Sequence, residues 1–545
     1  MNTHKETSGT MKRVALVFLA LVALVGSMLP LHAAETETFT GTAARTGTYK
    51  RPLLQVDGKR YELKASDKAD ASVAETLAKF STGDTNSYAI VGTRGTVNGN
   101  DGIIVDRITP AAKPLPSAGA TTPGKKAVQG TVPPAPAQVT PTVTSKVVTV
   151  SRRKYTVYEY PDPESKTYCV VIPEGLRTVR GLLVNANYYA GDSRGDWTFC
   201  HYYREFMHLH DFALVVANGT CPHTNAFKGF RTSLQKISVD SKHPELVNAP
   251  YVAVGFSAGG GFASTLMTYD PDRTIAAGII EARYNFDVFT RPNPPPGPTA
   301  AHLAIPSVLV SGGKGNTNAQ TGVLKMVDDV FVPHRPKSAE FAWVVLPNYG
   351  HEYAENRQDL LIMPLMDLAV RTRYPKNGDP TKGPIKLITI DPTTGWVADN
   401  TTWQSGLTKI VPAREFKGDL GHSSWLQSED IAFIYRAYAT HNNPITITSP
   451  GPCGPGTPPV DPGSNVPITV DASKFPNWTK LEFYDGAKKL GTVTTAPAQF
   501  TATNLTPGYH VFSVIGTGAQ GAKRSSDPRM VVVSTPPTDV PAAQQ

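Results

Sequence analysis

The sequence has few cysteines and no compact block of basic residues. Four cysteines among 545 residues are too few for a disulfide framework, although Cys200 and Cys221 are predicted to pair, one near a helix start and the other just past a strand. No spacing of cysteine, histidine or acidic residues is typical of a metal site, so we expect no metal and no organic cofactor. The net charge of +8 is spread along the chain, which argues against nucleic-acid binding.

Long hydrophobic runs are also missing, apart from one near the N-terminus. The basic pair Lys12-Arg13 precedes an apolar run at residues 14–25, and small residues suited to cleavage follow. A membrane-spanning helix needs about 20 apolar residues, and this run is shorter. Residues 1–34 are therefore predicted to be a secretory signal peptide. After its removal we expect a secreted, extracellular or periplasmic protein with no membrane attachment.

The most specific pattern that is present lies at residues 251–264, with the sequence YVAVGFSAGGGFAS. An apolar, β-rich run leads into Gly255-Phe256-Ser257-Ala258-Gly259, and a helix-compatible segment follows. A serine on a sharp strand-to-helix turn needs glycines two residues before and two residues after it, because a Cβ at either place would collide with neighbouring backbone. The pattern predicts that Ser257 is a nucleophile. The amide of Ala258, at the positive end of the new helix, is predicted to stabilise an oxyanion.

A second match to the same five-letter pattern occurs at residues 191–195, GDSRG. Its serine, Ser193, lies well beyond the predicted strand at residues 182–184, after a polar loop. No strand delivers it to a strained turn. The context therefore favours Ser257.

Predicted strands and helices alternate from residue 147 to about residue 375, which indicates a mostly parallel sheet with helices on both faces. With the GFSAGG elbow and the histidine of PNYGH at residues 347–351, this region resembles the α/β-hydrolase fold. The elbow is similar to that of secreted feruloyl-esterase-like and polyhydroxybutyrate-depolymerase-like serine esterases. The resemblance implies an α/β fold and hydrolysis of carboxylic esters through an acyl-enzyme.

The resemblance also implies which residues act with the serine. Ser257 needs an imidazole to accept its proton, and His351 follows the last predicted strand, where the fold places its histidine. The usual position of the acid, after the seventh strand, carries no carboxylate. Some hydrolases place the acid after the sixth strand, and Glu281 fits that site. Asp287 and an asparagine at residues 316–318 remain alternatives.

A second oxyanion donor is expected in the loop after the third strand. The backbone amide of Asn187 or Tyr188 is the natural candidate there, beside that of Ala258.

Two proline-rich stretches divide the chain, since their composition favours extended spacers. Before the first, the predicted elements resemble an OB-like barrel with one helix. After the second, short period-two strands resemble a bacterial Ig-like β-sandwich. The predicted segments are a signal peptide (1–34), a small OB-like β-barrel (35–110), a linker (111–145), an α/β-hydrolase domain (146–447) with an extension from about residue 376, a second linker (448–465), and an Ig-like β-sandwich with its tail (466–545).

Two hypotheses of different classes follow. The first is a secreted serine esterase that acts on feruloyl or acetyl esters of polysaccharides, or on a polyester. The alternative is an extracellular carbohydrate- or surface-binding protein whose hydrolase domain has lost catalysis, because the acid is absent from its usual place.

Overall fold

The computed structural model describes the chain in sixteen segments. They are residues 37–45, 52–56, 59–79, 87–97, 100–110, 141–161, 167–187, 197–198, 200–217, 224–282, 284, 298–313, 327–346, 349–351, 357–454 and 457–535. The predicted signal peptide and most of the predicted first linker lie outside these residues. Among the helices so described, none is long and apolar enough to cross a bilayer.

The N-terminal unit is a closed barrel with strand order β1-β2-β3-β5-β4. Its elements are β1 (Glu37–Arg45), β2 (Pro52–Val56), β3 (Lys59–Ala65), α1 (Ala71–Lys79), β4 (Ser87–Val97) and β5 (Asn100–Pro110). Strand β3 pairs with β5 in parallel, and β1 pairs with β4, which closes the barrel. Its core is its own: Leu54, Ile90 and Ile103 are fully buried inside it.

The central unit is a nine-stranded sheet with the order β14-β13-β12-β11-β9-β10-β8-β7-β6. Its strands are β6 (Thr144–Val150), β7 (Arg153–Pro161), β8 (Thr167–Pro173), β9 (Gly181–Asn187), β10 (Phe212–Ala217), β11 (Tyr251–Phe256), β12 (Thr274–Ile280), β13 (Ser307–Gly312) and β14 (Phe341–Leu346). The helices of this unit are α2 (His201–His210), α3 (Thr224–Asp240), α4 (Ala258–Tyr269), α5 (Ala300–Leu303), α6 (Val332–His334) and α7 (Asp359–Arg373).

The central sheet is parallel from β10 to β14 and antiparallel at the β6 edge. Every residue of β11 and β12 is buried, as expected for strands covered on both faces. Separate apolar cores lie on the two sides of the sheet. The α/β fold predicted from the alternation of elements is confirmed. The carboxyl ends of the parallel strands share one edge, where α/β folds place their sites.

The predicted extension packs beside β14 as part of the central unit. It contains β15 (Trp396–Asp399), β16 (Ile410–Pro412), β17 (Ser423–Leu426) and α8 (Glu429–Ala439). The hydroxyl of Ser424 accepts from the amide of Trp343 at 2.9 Å, and the Trp403 and Trp343 rings meet edge-to-face at 5.1 Å. Trp425 is buried, and its indole N–H donates to the carbonyl of Pro392 at 2.8 Å. These tryptophans fill a core.

The C-terminal unit consists of two sheets, β18-β19-β22 and β21-β20-β23-β24, with β25 paired to β23. Its strands are β18 (Thr446–Ser449), β19 (Val466–Asp471), β20 (Trp478–Asp485), β21 (Lys488–Val493), β22 (Gln499–Ala502), β23 (Gly508–Gly518), β24 (Lys523–Ser525) and β25 (Arg529–Val533). An apolar core that includes Ile468 and Phe483 lies between the sheets.

The predicted linker boundaries need correction. Residues 448–465 are not a free spacer: β18 pairs with β19, Cys453 is buried, and Val460 bridges to Val533. Proline and glycine set the local stiffness of the backbone, but they do not prevent its pairing or burial at isolated positions. Strand β6 likewise begins at Thr144, inside the predicted linker 111–145.

Candidate active site

The strand-to-helix turn at Ser257 has the strained geometry that its sequence predicts. Ser257 has φ of 55° and ψ of −123°, a region that non-glycine residues seldom adopt. A Cβ on Gly255 would lie 2.1 Å from the carbonyl oxygen of Gly259, and one on Gly260 would lie 2.5 Å from Cβ of Ala282. Glycine at 255 and 260 is therefore required for the close approach of strand and helix.

The turn brings Ser257 to His351. The hydroxyl of Ser257 lies 2.9 Å from Nε2 of His351, within hydrogen-bond distance. His351 follows β14, and its ring packs on that of Phe256, with centroids 5.3 Å apart. A serine and an imidazole that are far apart in sequence thus meet at the carboxyl edge of the sheet.

Glu281 lies on the other side of the imidazole. Phe256 pairs with Ile280 in the register of β11 and β12, so Ser257 and Glu281 are the residues that directly follow these two neighbouring parallel strands. Glu281 is buried and has φ of 49°. Its Oε2 lies 3.7 Å from Nδ1 of His351, close enough for charge attraction but longer than a hydrogen bond.

The backbone that precedes His351 rests on Gly312, at the end of β13. A Cβ on Gly312 would lie 2.3 Å from the carbonyl oxygen of Gly350 and 2.5 Å from that of Tyr349. Gly312 pairs with Leu346, the last residue of β14. We call residues 349–351 the histidine segment. The absence of a side chain at Gly312 therefore sets how closely this segment approaches the sheet.

One of the two predicted oxyanion donors, Ala258, belongs to the elbow, and the other, Asn187, lies on the neighbouring strand β9. Ala258 is the first residue of α4, where a backbone N–H has no acceptor within its own helix. Asn187 is the last residue of β9 and pairs with Phe256. Their role with an oxyanion stays a prediction.

Arg357 and Asp527 were missed by the sequence reasoning. Arg357 follows His351 on the segment between β14 and α7, and its guanidinium donates to both carboxylate oxygens of Asp527, at 2.8 and 3.2 Å. Burial alone would lower the pKa of Arg357, but the hydrogen bonds and charge of Asp527 raise it. The partners are 170 residues apart, so no local signal could have found the pair.

Several candidate residues lie outside the described part of the chain. They are Tyr188, Ser193, Cys221, Asp287 and residues 316–318. Cys200 is buried immediately before α2, and its pairing with Cys221 stays a prediction. In the described segments, no group of three histidine, cysteine or acidic residues could hold a metal ion.

No family model matches the sequence, and no curated protein matches it. Among solved structures, the chain is similar to an acetyl xylan esterase from Paenibacillus sp. R4, at 12% identity and a TM-score of 0.29, over 42% of this chain and 90% of that one. It is also similar to a mutant of the feruloyl esterase module from Clostridium thermocellum complexed with sinapinate, at 12% identity and a TM-score of 0.26, over 44% of this chain and 94% of that one.

A third similarity is to the fibronectin(III)-like modules of Clostridium thermocellum CbhA, at 23% identity and a TM-score of 0.15, over 16% of this chain and 94% of that one. All three TM-scores are low.

Proposed function

We propose that this protein is a serine esterase that cleaves carboxylic esters through an acyl-enzyme. The observation that carries the proposal is the 2.9 Å contact between the hydroxyl of Ser257 and Nε2 of His351, at a strained strand-to-helix turn. Nucleophilic catalysis by serine needs an adjacent base and a third group to orient it. Glu281, beside Nδ1 of the same imidazole, is the proposed orienting acid.

The geometry supports a two-step reaction. Nε2 of His351 accepts the Ser257 proton while the serine oxygen attacks the ester carbonyl carbon, and the amides of Ala258 and Asn187 bind the developing oxyanion. The imidazolium then protonates the leaving alcohol, and the acyl-enzyme forms. Water, deprotonated by the same imidazole, hydrolyses the acyl-enzyme. Glu281 stabilises the imidazolium, and we expect its 3.7 Å separation from Nδ1 to shorten once substrate is bound.

The proposed substrates are feruloyl or acetyl esters of polysaccharides, or a polyester, acted on outside the cytoplasm after signal-peptide removal. The likeness of the elbow sequence to secreted esterases supports this class. We further propose that the N-terminal barrel is OB-like and that the C-terminal β module is Ig-like, on the grounds of their strand orders.

The test uses the chain without residues 1–34 and a short-chain p-nitrophenyl ester. Ser257→Ala should lower kcat by at least about 10³-fold and abolish labelling by a fluorophosphonate. Ser193→Ala is the matched control, because Ser193 lies in the same five-letter pattern but the sequence predicts no strand directly before it, and it should keep full activity. Hydrolysis that survives Ser257→Ala would reject the mechanism.

Substrate choice needs a second measurement. A panel of feruloyl, acetyl and polyester substrates compares kcat/KM on the wild-type chain. Absence of both turnover and fluorophosphonate labelling would instead favour the binding protein with an inactive hydrolase domain.

A further inference from the structure

We infer that the C-terminal module, residues 445–535, positions the catalytic histidine through the contact of Asp527 with Arg357, so that the module is a working part of the esterase rather than a spacer. This inference rests on the proposed function. It assigns Arg357 and Asp527 as positioning residues, which do not touch the reacting atoms.

The contact between the module and the histidine segment has a fixed geometry. Asp527 accepts from both terminal nitrogens of Arg357, at 2.8 and 3.2 Å. The side-chain amide of Asn443 also donates to Asp527, at 2.9 Å. Two parallel charge-assisted hydrogen bonds hold the guanidinium plane in one orientation. The Arg357 side chain is 18% exposed and that of Asp527 is 37% exposed, so solvent screens this partly buried pair less than it would a fully exposed pair.

Arg357 in turn contacts the histidine segment through Tyr349. Its guanidinium lies over the ring of Tyr349, 6.0 Å from the centroid, and over that of Tyr438, at 5.6 Å. Distances in this range give cation–π attraction. The carbonyl of Tyr349 in turn faces Gly312. Tyr349 is therefore held between Arg357 and the end of β13, just before His351.

The module is held rigidly enough to act as a support. Met530 and Val532 on β25 belong to the apolar core of the central unit. The alternate residues, Val531 and Val533, belong to the core of the module. One strand thus faces two cores, as the two-residue period of a strand allows. Domains joined by small polar interfaces are expected to move relative to each other, and this interface has a buried apolar centre.

Hydrogen bonds at the rim of the interface fix its register. The hydroxyl of Tyr509 donates to the carbonyl of Tyr202 at 2.6 Å, and the amide of Thr535 donates to the carboxylate of Glu205 at 2.7 Å. Both acceptors lie on α2. The module therefore contacts the central unit at the histidine segment and at a separate helix, which restrains rotation between them.

Loss of the Asp527 charge should disturb the histidine segment. The positive charge of Arg529, also in the module, lowers the pKa of Asp527. Asp527→Asn therefore leaves two neighbouring cations without their carboxylate. A buried charge without its partner tends to move towards water. Arg357 would then leave its place over Tyr349.

The test compares variants of the full chain lacking residues 1–34. Asp527→Asn should lower kcat for p-nitrophenyl acetate by about tenfold, with KM within about twofold, and should slow fluorophosphonate labelling by a similar factor. Asp527→Glu should restore part of the rate. Glu482→Gln is the matched control, since it removes the same charge within the module from contacts with Lys480 and Lys489, and it should leave kcat unchanged.

Arg357→Lys provides a second, milder variant in case Asp527→Asn does not fold. It keeps the charge but loses the two-pronged contact, and the same tenfold loss of kcat is expected. A folded Arg357→Lys or Asp527→Asn protein that keeps kcat within about twofold would overturn the inference.

Hydrogen exchange separates failure of this inference from failure of the proposed function. Peptides covering residues 346–358 should exchange faster in Asp527→Asn than in wild type, and at the wild-type rate in Glu482→Gln. If the wild-type chain shows no Ser257-dependent turnover or labelling, the proposed function fails and exchange alone decides the positioning role. Unchanged exchange in Asp527→Asn would then reject it.

Discussion

Ser257 and Glu281 both adopt a left-handed backbone conformation, with φ of 55° and 49°. Each follows directly on a strand of the central sheet, and each backbone amide donates to a carbonyl of the adjacent strand, at Ile280 and Val310 respectively. These hydrogen bonds hold conformations that cost free energy in an isolated chain. The strain directs both side chains to the edge where His351 lies.

Glu281→Gln tests which residue is the acid. The substitution keeps the size of the side chain but removes the charge that stabilises the imidazolium, so kcat should fall by about 10²- to 10⁴-fold with KM little changed. Steady-state kinetics on p-nitrophenyl acetate measure the loss. Glu340→Gln is the control, because Glu340 is also buried but precedes β14, at the opposite end of the strand from His351. Full activity in Glu281→Gln would move the role to Asp287 or residues 316–318.

Gly312→Ala tests whether the position of the histidine segment depends on that glycine. The new methyl carbon would lie 2.3 Å from the carbonyl oxygen of Gly350, so the segment must shift. A displacement of about 1 Å in catalytic geometry can cost about 100-fold in rate, and we expect kcat to fall by about 10- to 100-fold. Gly451→Ala, at a position where a Cβ meets nothing within 4 Å, should leave kcat and unfolding temperature unchanged.

At the scale of elements, local sequence predicted the strand, turn and helix around Ser257 because each step has a local cause. The apolar run from 251 needs burial, and the glycines permit a turn that other residues block. The second strained turn, at Glu281, has no such signal, since no glycine marks it. The pairing of Thr446–Ser449 with β19 was not predicted either. A proline-rich composition indicates a stiff backbone, but it does not indicate which distant strand that backbone pairs with.

Helix α2 makes stability depend on pH through His208. Its Nε2 lies 2.9 Å from the hydroxyl of Tyr155, and burial, with the nearby charges of Arg153 and Arg204, lowers the pKa of His208 to about 3. The unfolded chain has an ordinary histidine pKa of about 6.5. As the pH falls below about 6.5, only the unfolded chain binds this proton, so stability is present above that pH and declines towards pH 3.

His208→Gln should remove this dependence. Glutamine can still accept a hydrogen bond from Tyr155. At about pH 5 the wild-type chain loses on the order of 2 kcal/mol of unfolding free energy through His208, and the variant does not. Thermal unfolding measured in steps from about pH 7.5 to about pH 4.5 should show a smaller fall in Tm for His208→Gln than for wild type. His422→Gln, at an exposed position, is the control. Parallel Tm curves for His208→Gln and wild type would contradict the prediction.

At the scale of the whole molecule, the barrel and the C-terminal module differ in how they contribute to stability. Among the described residues, those of the barrel core all come from the barrel itself. The module, in contrast, shares Val511, Met530 and Val532 with the core of the central unit. Sequence periodicity showed that the module exists, but it does not reveal which face of a strand meets another domain.

Two truncated chains test whether the central unit depends on the module for its stability but not on the barrel. A chain of residues 141–545, without the barrel, should fold, keep an unfolding temperature near that of the intact chain and react with a fluorophosphonate at the same rate. A chain of residues 35–444, without the module, exposes the apolar surface that Met530 and Val532 cover and deprives Arg357 of Asp527. It should aggregate or unfold at a markedly lower temperature, with fluorophosphonate labelling lost. A soluble 35–444 chain with wild-type labelling would show that the central unit needs no support from the module.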